Sequence, residues 1–250
     1  MDRQRFSYIA HRNHQFCSPC SAETFDALLA PLDLQPGDKV IDLGCGTGGM
    51  AILLARRFAA QVLGVDLSPR MIDAASRRAD AEPGEGTISF QTGDAAEFIA
   101  DHGPCRMIVA SGAGGLVPGA ATMAETLRGL AAHLVPGGWL LHGEGYWKKP
   151  PSRSYLEALG AAEDELTSHA GNVAAGESAG LVPILAMTAS EREWDVYEWT
   201  YSTAVESHLV EHPDDPDADA MRTRIRNWRR TYLTEGRETL GFGLYLYRKP

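Results

Sequence analysis

The sequence predicts an α/β fold: a doubly wound, mostly parallel sheet of seven strands, with an N-terminal cap and a helical insertion before the last strand. Two observations predict it. Short β-branched runs alternate with amphipathic stretches from about residue 36 to residue 145, and a glycine-rich turn follows the first run. Strands that alternate with helices through short loops form a parallel sheet covered on both faces. Right-handed crossovers leave few ways to wind such a sheet.

The predicted strands are short runs rich in β-branched and other apolar residues. They occupy residues 39–43, 61–66, 87–91, 106–110, 139–142, 181–187 and 244–247. The first predicted helix, 22–32, ends before Gln35-Pro36-Gly37, and the second, 50–58, follows the glycine-rich turn. Ser68 is placed to cap the third helix, and Pro69 suits its first position.

The later helices are predicted by periodicity and by the residues that stop them. After a short helix at 95–100, helix 121–134 has apolar residues at the spacing of one buried face and stops at Pro136-Gly137-Gly138. Beyond Pro150 the alternation weakens. Helices are predicted at 154–165, 191–212 and 218–233.

The chain is expected to form one domain with additions, because its length of 250 residues matches a single α/β unit. We expect an N-terminal cap (residues 1–35), a cofactor-binding core (36–150) and a C-terminal part (151–250). The last part includes a helical lid at about 190–235. The two lid helices are too short to form a domain core of their own, so the lid is interpreted as an insertion on the main sheet.

Composition and charge exclude several classes of protein. A hydrophobic fraction of 44% and a charged fraction of 22% are typical of globular chains, and the net charge of −10 argues against nucleic-acid binding. No apolar run approaches the roughly 18 residues of a membrane span, and the N-terminus has no hydrophobic signal core. With only four cysteines, we expect a reduced, cytoplasmic protein without a membrane partner. Its oligomeric state stays open.

The segment Asp42-Leu43-Gly44-Cys45-Gly46-Thr47-Gly48-Gly49 carries the chemistry. Its glycines allow a sharp turn and a close approach to a ligand, with helix N–H groups pointing toward it. Such a turn also serves dinucleotide enzymes. Asp42, just before the turn, suits a cationic amino group and disfavours a pyrophosphate.

Two further carboxylates extend this pattern. Asp66 ends the second strand, 22 residues after Gly44, where it can accept both hydroxyls of a ribose. Asp94 follows the third strand, where it can accept an adenine amino group. Each is alternatively an ordinary cap at the end of a strand. Together they favour an adenosine that carries a cationic amino acid.

These motifs resemble the class I S-adenosylmethionine-dependent methyltransferases. The resemblance covers about residues 36–145 through VIDLGCGTGG, GVDLSP, TGDAAEF and LVPGGWLL, in that order. More loosely, the whole chain resembles a bacterial subgroup of small-molecule methyltransferases. This second likeness rests on His14-Gln15-Phe16, on GEGYW at 143–147, on WDVYE at 194–198 and on Gly241-Phe242-Gly243.

The resemblance implies S-adenosylmethionine as the cofactor and a role for each matching position. The glycine turn with Cys45 would line the methionine part, with Asp42 near its amino group. Asp66 would hold the ribose. The adenine and the methyl group would be bordered by Leu67, Met71, Asp94, Ala95 and Ser111. The last position departs from enzymes that methylate DNA adenine or protein glutamine, because Ala-Ser-Gly-Ala replaces their Asn/Asp-Pro-Pro-Tyr.

Methyl transfer needs an aligned, dry site and a base that takes the proton of the acceptor. His14 and Glu144 are the predicted catalytic bases, with His11, His142 and Tyr146 as weaker candidates. Glu144 follows the fifth strand, where open sheets place their sites. Alternatively, it accepts backbone N–H groups or pairs with Lys148. His14 qualifies only if the N-terminal segment folds over the cofactor.

Four aromatic residues are predicted to contact the acceptor: Tyr146, Trp147, Trp194 and Tyr197. Tyr146 and Trp147 are alternatively anchors at the edge of the core. Trp194 and Tyr197 belong to a helical stripe that is alternatively plain core packing; the other members are Tyr201, Val205 and Leu209. An arginine cluster is interpreted as a solvated helix face, or else as a site for an anionic acceptor; it comprises Arg222, Arg224, Arg226, Arg229 and Arg230.

The sequence also contains features that are typical of other functions. The run His11, His14, Cys17 and Cys20 resembles a list of metal ligands, but its spacing demands a very tight wrap. Ordinary packing is preferred to a metal site or a redox cysteine pair, and no metal is expected. A nicotinamide-dependent oxidoreductase would use a similar glycine turn, yet the chain lacks both Tyr-x-x-x-Lys and the Gly-x-Gly-x-x-Gly spacing. A non-catalytic, S-adenosylmethionine-binding regulatory protein is the third alternative.

Overall fold

A computed structural model describes all 250 residues. The strands are β1 Lys39–Leu43, β2 Gln61–Asp66, β3 Thr87–Thr92, β4 Cys105–Ser111, β5 Leu134–Trp147, β6 Val182–Thr188 and β7 Leu240–Arg248. They form one sheet in the order β3-β2-β1-β4-β5-β7-β6. Strands β1 to β5 are parallel, and β7 runs antiparallel between β5 and β6. The predicted mostly parallel sheet of seven strands is confirmed.

The principal helices are α1 Arg3–His11, α2 Ala22–Leu29, α3 Gly49–Phe58, α4 Pro69–Ala81, α5 Ala95–His102, α6 Met123–Ala132, α7 Arg153–Leu159, α8 His169–Ser178, α9 Glu191–Glu211 and α10 Ala218–Thr231. A π-helical turn, Tyr232–Gly236, follows α10. The sequence did not predict α1 or α8. Helix α7 is shorter than predicted because Gly160 ends it in the left-handed region, with φ +69°.

Strands β5 and β7 are both longer than predicted. They pair antiparallel from Trp139–Arg248 to Trp147–Leu240, and this ladder carries both strands past the apolar runs from which they were predicted. Two glycines of β7 make room for neighbouring tyrosines: a Cβ atom at Gly241 or Gly243 would overlap the ring of Tyr146 or Tyr245. Strand β7 therefore continues through two glycines that contact tyrosine rings, whereas the apolar run from which it was predicted begins only at Leu244.

Apolar side chains form three separate clusters. Two cover the opposite faces of the sheet, as a doubly wound fold requires. The third joins α1 to the lid helices α9 and α10, and it contains Phe6, Ile9, Ala10, Val205, Leu209, Ala218, Met221 and Ile225. The two lid helices were expected to have no core of their own. They share one here because the unpredicted α1 supplies its missing side. No helix in the chain is both long and apolar enough to span a membrane.

Candidate active site

The glycine turn between β1 and α3 has the backbone that its residues predict. Gly44, Gly46 and Gly48 have φ values of +70°, +53° and +78°, a region that residues with a Cβ atom rarely adopt. Space is also limited, since a Cβ atom at Gly44 would lie 2.7 Å from Cβ of Ala113. The turn therefore brings bare backbone to the carboxyl end of the sheet, where ligands of open parallel sheets bind.

Asp66 ties this turn to the end of β2. Its Oδ2 atom accepts a 3.0 Å hydrogen bond from Gly46 N–H, and its Oδ1 atom accepts a 2.8 Å bond from Ser68 N–H. The carboxylate is half-buried. Asp66 thus holds the loop, and it also borders the adjacent cavity.

A cavity of about 230 Å³ opens beside the turn. Its wall brings together five of the residues predicted to bind the cofactor: Gly44, Asp66, Leu67, Asp94 and Ala95. Asp94 is also the N-cap of α5, because its Oδ1 accepts the N–H groups of Ala96 and Glu97. Its second oxygen accepts no protein hydrogen bond. The wall also includes the loop 112–116. Its first residue, Gly112, adjoins the predicted Ser111, but residues 113–116 were not predicted, although Gly114 and Gly115 marked a turn.

Asp42 is a buried carboxylate with an unpaired oxygen. The residue is 3% exposed, and its Oδ2 atom has no hydrogen-bond partner. Burial, helped by the charge of Asp66 and opposed by the Ala51 N–H, raises the pKa of Asp42 to about 7. A buried carboxylate is stabilised by a cation placed against it. The free oxygen therefore fits a bound cationic amino group.

The remaining residues predicted to bind the cofactor do not line the 230 Å³ cavity. Cys45 is buried next to Gly64, and burial raises the pKa of its thiol. Met71 is buried in α4. Ser111 ends β4, and its hydroxyl oxygen is buried without a partner.

The N-terminal cap crosses the glycine turn. Arg78 Nη1 donates a 2.7 Å hydrogen bond to the carbonyl oxygen of Gln15, and this carbonyl occupies the space that a Cβ at Gly49 would need. Sγ of Cys17 lies 3.8 Å from Oγ1 of Thr47. His14 and Thr47 line one small cavity of about 330 Å³. The N-terminal segment therefore lies against the glycine turn, and His14 remains a prediction as the base.

His14 and His11 both contact Tyr197 of the lid. Nε2 of His14 lies 3.0 Å from the carbonyl oxygen of Tyr197, so this nitrogen carries the proton. Its Nδ1 atom is buried without a partner. Nε2 of His11 lies 2.9 Å from the Tyr197 hydroxyl. Burial lowers the pKa of both imidazoles, that of His11 to about 4, and both are neutral at neutral pH.

Two larger cavities meet at this contact. One, of about 630 Å³, lies between the cap and the start of α9, and both His14 and Tyr197 line it. The other, of about 790 Å³, lies among α1, α7, α9 and α10, and both His11 and Tyr197 line it. Tyr197 therefore belongs to the walls of two cavities that are large enough for a small organic molecule.

Glu144 lies on a different face of the sheet from Ser111. It shares a face of β5 with His142, whose Nε2 lies 3.7 Å from Oε2 of Glu144. Burial raises the pKa of Glu144, although the carboxylate accepts a 2.8 Å hydrogen bond from Gly145 N–H. Both nitrogens of the buried His142 lack hydrogen-bond partners, and burial lowers its pKa to about 4. Glu144 and His14 are thus both desolvated groups that favour their neutral forms.

The other three predicted acceptor-contacting aromatics, like Tyr197, have protein partners. The Tyr146 ring packs against Gly241. The Trp147 indole N–H donates a 2.9 Å hydrogen bond to the carbonyl oxygen of Glu163. Trp194 is buried and stacks on Tyr232, with its indole nitrogen unpaired. Of the stripe on α9, Val205 and Leu209 belong to the third apolar cluster.

The arginine cluster and the His/Cys run have mostly structural contacts. Arg222, Arg226 and Arg229 form ion pairs with Asp219 or Glu206, while Arg224 packs over the ring of Phe6. No group of three or more His, Cys, Asp or Glu side chains is arranged to hold a metal ion. All four cysteines are free thiols.

The chain is similar to methyltransferases and to an uncharacterized bacterial protein. A family model described as a methyltransferase domain matches residues 40–138. The chain is 29% identical over 247 residues to the uncharacterized protein YjhP of Escherichia coli K12, with 98% of each chain covered. It is 30% identical over 221 residues to a trans-aconitate 2-methyltransferase of Streptomyces avermitilis, covering 86% of this chain and 76% of that one.

Solved structures agree. A SAM-dependent methyltransferase from Thiobacillus denitrificans, in complex with S-adenosyl-L-homocysteine, superposes with a TM-score of 0.88 at 30% identity over 100% of both chains. A second such complex, from Geobacter sulfurreducens, has a TM-score of 0.88 at 27% identity over 98% of both chains. These matches do not favour the nicotinamide-dependent alternative. Together with the glycine turn, Asp42 and Asp66, they show that the chain belongs to the class I S-adenosylmethionine-dependent methyltransferases.

Proposed function

We propose that this enzyme methylates an oxygen, nitrogen or sulfur atom of a small molecule that binds between the N-terminal cap (1–35) and the lid (about 190–235). The observation that carries the proposal is the meeting of two cavities, of about 630 and 790 Å³, at Tyr197, next to the cap segment that crosses the glycine turn. Cavities of this size suit a small acceptor better than a nucleic-acid strand or a protein surface.

The residues present fit the cofactor. The ammonium of its methionine part would meet Asp42, whose Oδ2 is otherwise unpaired. Asp66 would accept the ribose hydroxyls, and the adenine would occupy the 230 Å³ cavity bordered by Leu67 and Asp94. Cys45, Met71 and Ser111 would enclose the remainder. When bound, S-adenosylmethionine supplies an electrophilic methyl group on a sulfonium.

The protein contributes alignment, exclusion of water and a base. We assign the base first to His14: its Nε2 proton is held by the Tyr197 carbonyl, which leaves the buried Nδ1 lone pair to accept a proton. Nearby carbonyls of His11 and Ala10 oppose the lowering of the His14 pKa by burial, and so favour the protonated product of that step. Glu144 is the second candidate.

Tyr197 is the strongest candidate for direct contact with the acceptor, since both larger cavities include it. Trp194 packs edge-on against the ring of Tyr197 and so helps to hold that ring in place. Tyr146 and Trp147 are proposed to border the acceptor from the β5 side. The four free thiols support a cytoplasmic location.

The test is turnover. Purified protein with S-adenosylmethionine would be supplied with a panel of small acceptors, including trans-aconitate and phosphoethanolamine, the acceptors named for relatives. Production of S-adenosylhomocysteine and of a methylated product is expected with at least one small molecule. Tight cofactor binding without turnover on a broad panel would instead favour the regulatory alternative. Turnover on protein or nucleic acid alone would overturn the proposal.

A further inference from the structure

The cavity of about 790 Å³ has a wall of aromatic side chains. Phe6, Tyr197, Tyr201 and Trp228 contribute to it, and His11 lies on the same wall. Tyrosine and tryptophan rings present a negative face, which attracts a cation placed over them. A wall of this kind suits a ligand that combines an apolar body with a positive charge.

Glu198 is the buried carboxylate of this wall. It projects from α9, is 6% exposed and is among the residues that line the cavity. Its Oε2 atom accepts a 2.7 Å hydrogen bond from the Trp228 indole N–H, while its Oε1 atom accepts none from the protein. No Lys, Arg or His side-chain nitrogen lies within 4.0 Å of a carboxylate oxygen of Glu198, so the residue has no ion-pair partner. Burial raises the pKa of Glu198 to about 7, against the opposing effect of Trp228.

Two arginines, Arg3 and Arg224, also line the cavity, but neither comes within 4.0 Å of the Glu198 carboxylate. The Arg224 guanidinium instead lies 4.7 Å from the centre of the Phe6 ring. The other carboxylate of the wall, Glu157, pairs with Arg153 at the surface. Glu198 is therefore a carboxylate that lacks a cation in a cavity able to admit one. An unpaired buried charge costs free energy until a counter-charge arrives.

We propose that this cavity binds acceptors that carry a protonated amine or amidine on an aromatic or apolar body, and that Glu198 Oε1 receives the N–H donors of that cation. The inference rests on the proposed function and narrows its substrate class. A charge-assisted N–H···O bond supplies the recognition, and the aromatic wall holds the apolar body. The bond from Trp228 orients the carboxylate toward the cavity.

Two matched probes test the charge preference without any variant. Tyramine and 4-hydroxyphenylacetate share a phenol and differ in the sign of their charge at pH 7.5. Their dissociation constants would be measured by tryptophan fluorescence and by saturation-transfer NMR, on the full chain saturated with S-adenosylhomocysteine. Tyramine is expected to bind at least about ten-fold more tightly, since a charge-assisted hydrogen bond contributes that much. Equal binding, tighter binding of the anion, or no binding of either probe would overturn the inference.

Glu198→Gln locates the effect, because glutamine keeps an acceptor for Trp228 while it removes the charge. It should weaken tyramine binding about ten-fold or more, whereas Glu211→Gln, at the exposed end of the same helix and outside the cavity, should leave it unchanged. Unaltered tyramine binding to E198Q would place the cation elsewhere and overturn the assignment. S-adenosylhomocysteine binding to the wild type, measured by calorimetry, is the separate readout. If the wild type does not bind S-adenosylhomocysteine, the proposed function is contradicted. If it binds S-adenosylhomocysteine but neither probe, only this inference is contradicted.

Discussion

The backbone N–H of Gly46 donates a 3.0 Å hydrogen bond to Oδ2 of Asp66, and this bond joins the glycine turn to the neighbouring strand β2. The same carboxylate lines the cavity of about 230 Å³ that is proposed for the adenosine. A single side chain thus shapes the loop and borders the proposed ligand cavity, so its removal should affect both. This coupling makes Asp66 the most informative position for testing the cofactor site.

Asp66→Ala is expected to weaken S-adenosylhomocysteine binding about 10- to 100-fold, because the hydrogen bonds that the charged carboxylate accepts are lost and the turn is released. Isothermal titration calorimetry measures the change. Asp73→Ala, an exposed position on α4, is the control and should bind normally. Unchanged affinity of D66A would refute the placement of the ribose.

The stability of the free protein should depend on pH through Asp42. The pKa of this carboxyl in the folded state, about 7, lies above the ordinary value of 3.8. Ionising Asp42 therefore destabilises the fold: the cost is absent below about pH 4 and complete above about pH 7. Relative to the D42N variant, the wild type should lose free energy of unfolding across this window. Parallel urea titrations would measure it, and a difference that is constant with pH would contradict the assignment.

Cofactor binding should show the opposite trend, because an ammonium group favours the ionised form of Asp42. With a pKa of about 7 in the free protein, the ionised fraction rises about ten-fold between pH 6 and pH 8. The affinity for S-adenosylhomocysteine should rise by about the same factor. The D42N variant should bind more weakly and with little pH dependence. A wild-type affinity that is flat over this range would exclude contact between Asp42 and the amino group.

The two candidate bases can be separated by kinetics with the acceptor found in the panel. His14→Gln should lower kcat about 10²- to 10⁴-fold if His14 is the base. Burial lowers the pKa of His14 below 6.5, so the wild-type rate should rise with pH to a plateau already reached near neutrality, and H14Q should lose this step. His212→Gln, at an exposed position, is the matched control. If Glu144→Gln abolishes activity while H14Q retains it, Glu144 is the base instead.

Two glycines with nearly the same backbone separate conformational strain from steric overlap. Gly44 and Gly112 have φ values of +70° and +68°, but a Cβ atom at Gly112 meets nothing within 4 Å, whereas one at Gly44 meets Ala113 at 2.7 Å. Gly112→Ala should cost about 1–2 kcal/mol of stability through its φ angle alone. Gly44→Ala should cost about 1–3 kcal/mol more through overlap. It should also weaken S-adenosylhomocysteine binding. Equal urea midpoints for the two variants would contradict the predicted overlap, because they would mean that the loop at Ala113 moves away at no cost in stability.

Part of the candidate site was predictable because it is local. The glycine turn and Asp42 form one continuous segment, and Asp66 ends, while Asp94 follows, a strand that was predicted from a hydrophobic run. Parallel strands bring such ends together without further information. The bounds of β5 and β7 were not predictable in this way, since their length depends on a ladder between residues about a hundred positions apart. Helix α1 was missed for the same reason: its apolar face acquires a partner only when α9 and α10 dock against it.

The sequence by itself determined the fold class, the cofactor and the carboxylates proposed to bind it, because these depend on periodicity and on the order of short motifs along the chain. Only the tertiary structure decided what surrounds the acceptor. His14 and Tyr197 are 183 residues apart in the sequence, yet Nε2 of His14 lies 3.0 Å from the carbonyl oxygen of Tyr197. Glu198 is a candidate ligand-binding residue only because α1, α7 and α10 form a cavity next to it. Burial, the shift of a pKa and the absence of a counter-charge are properties of packing between distant segments, and no local pattern encodes them.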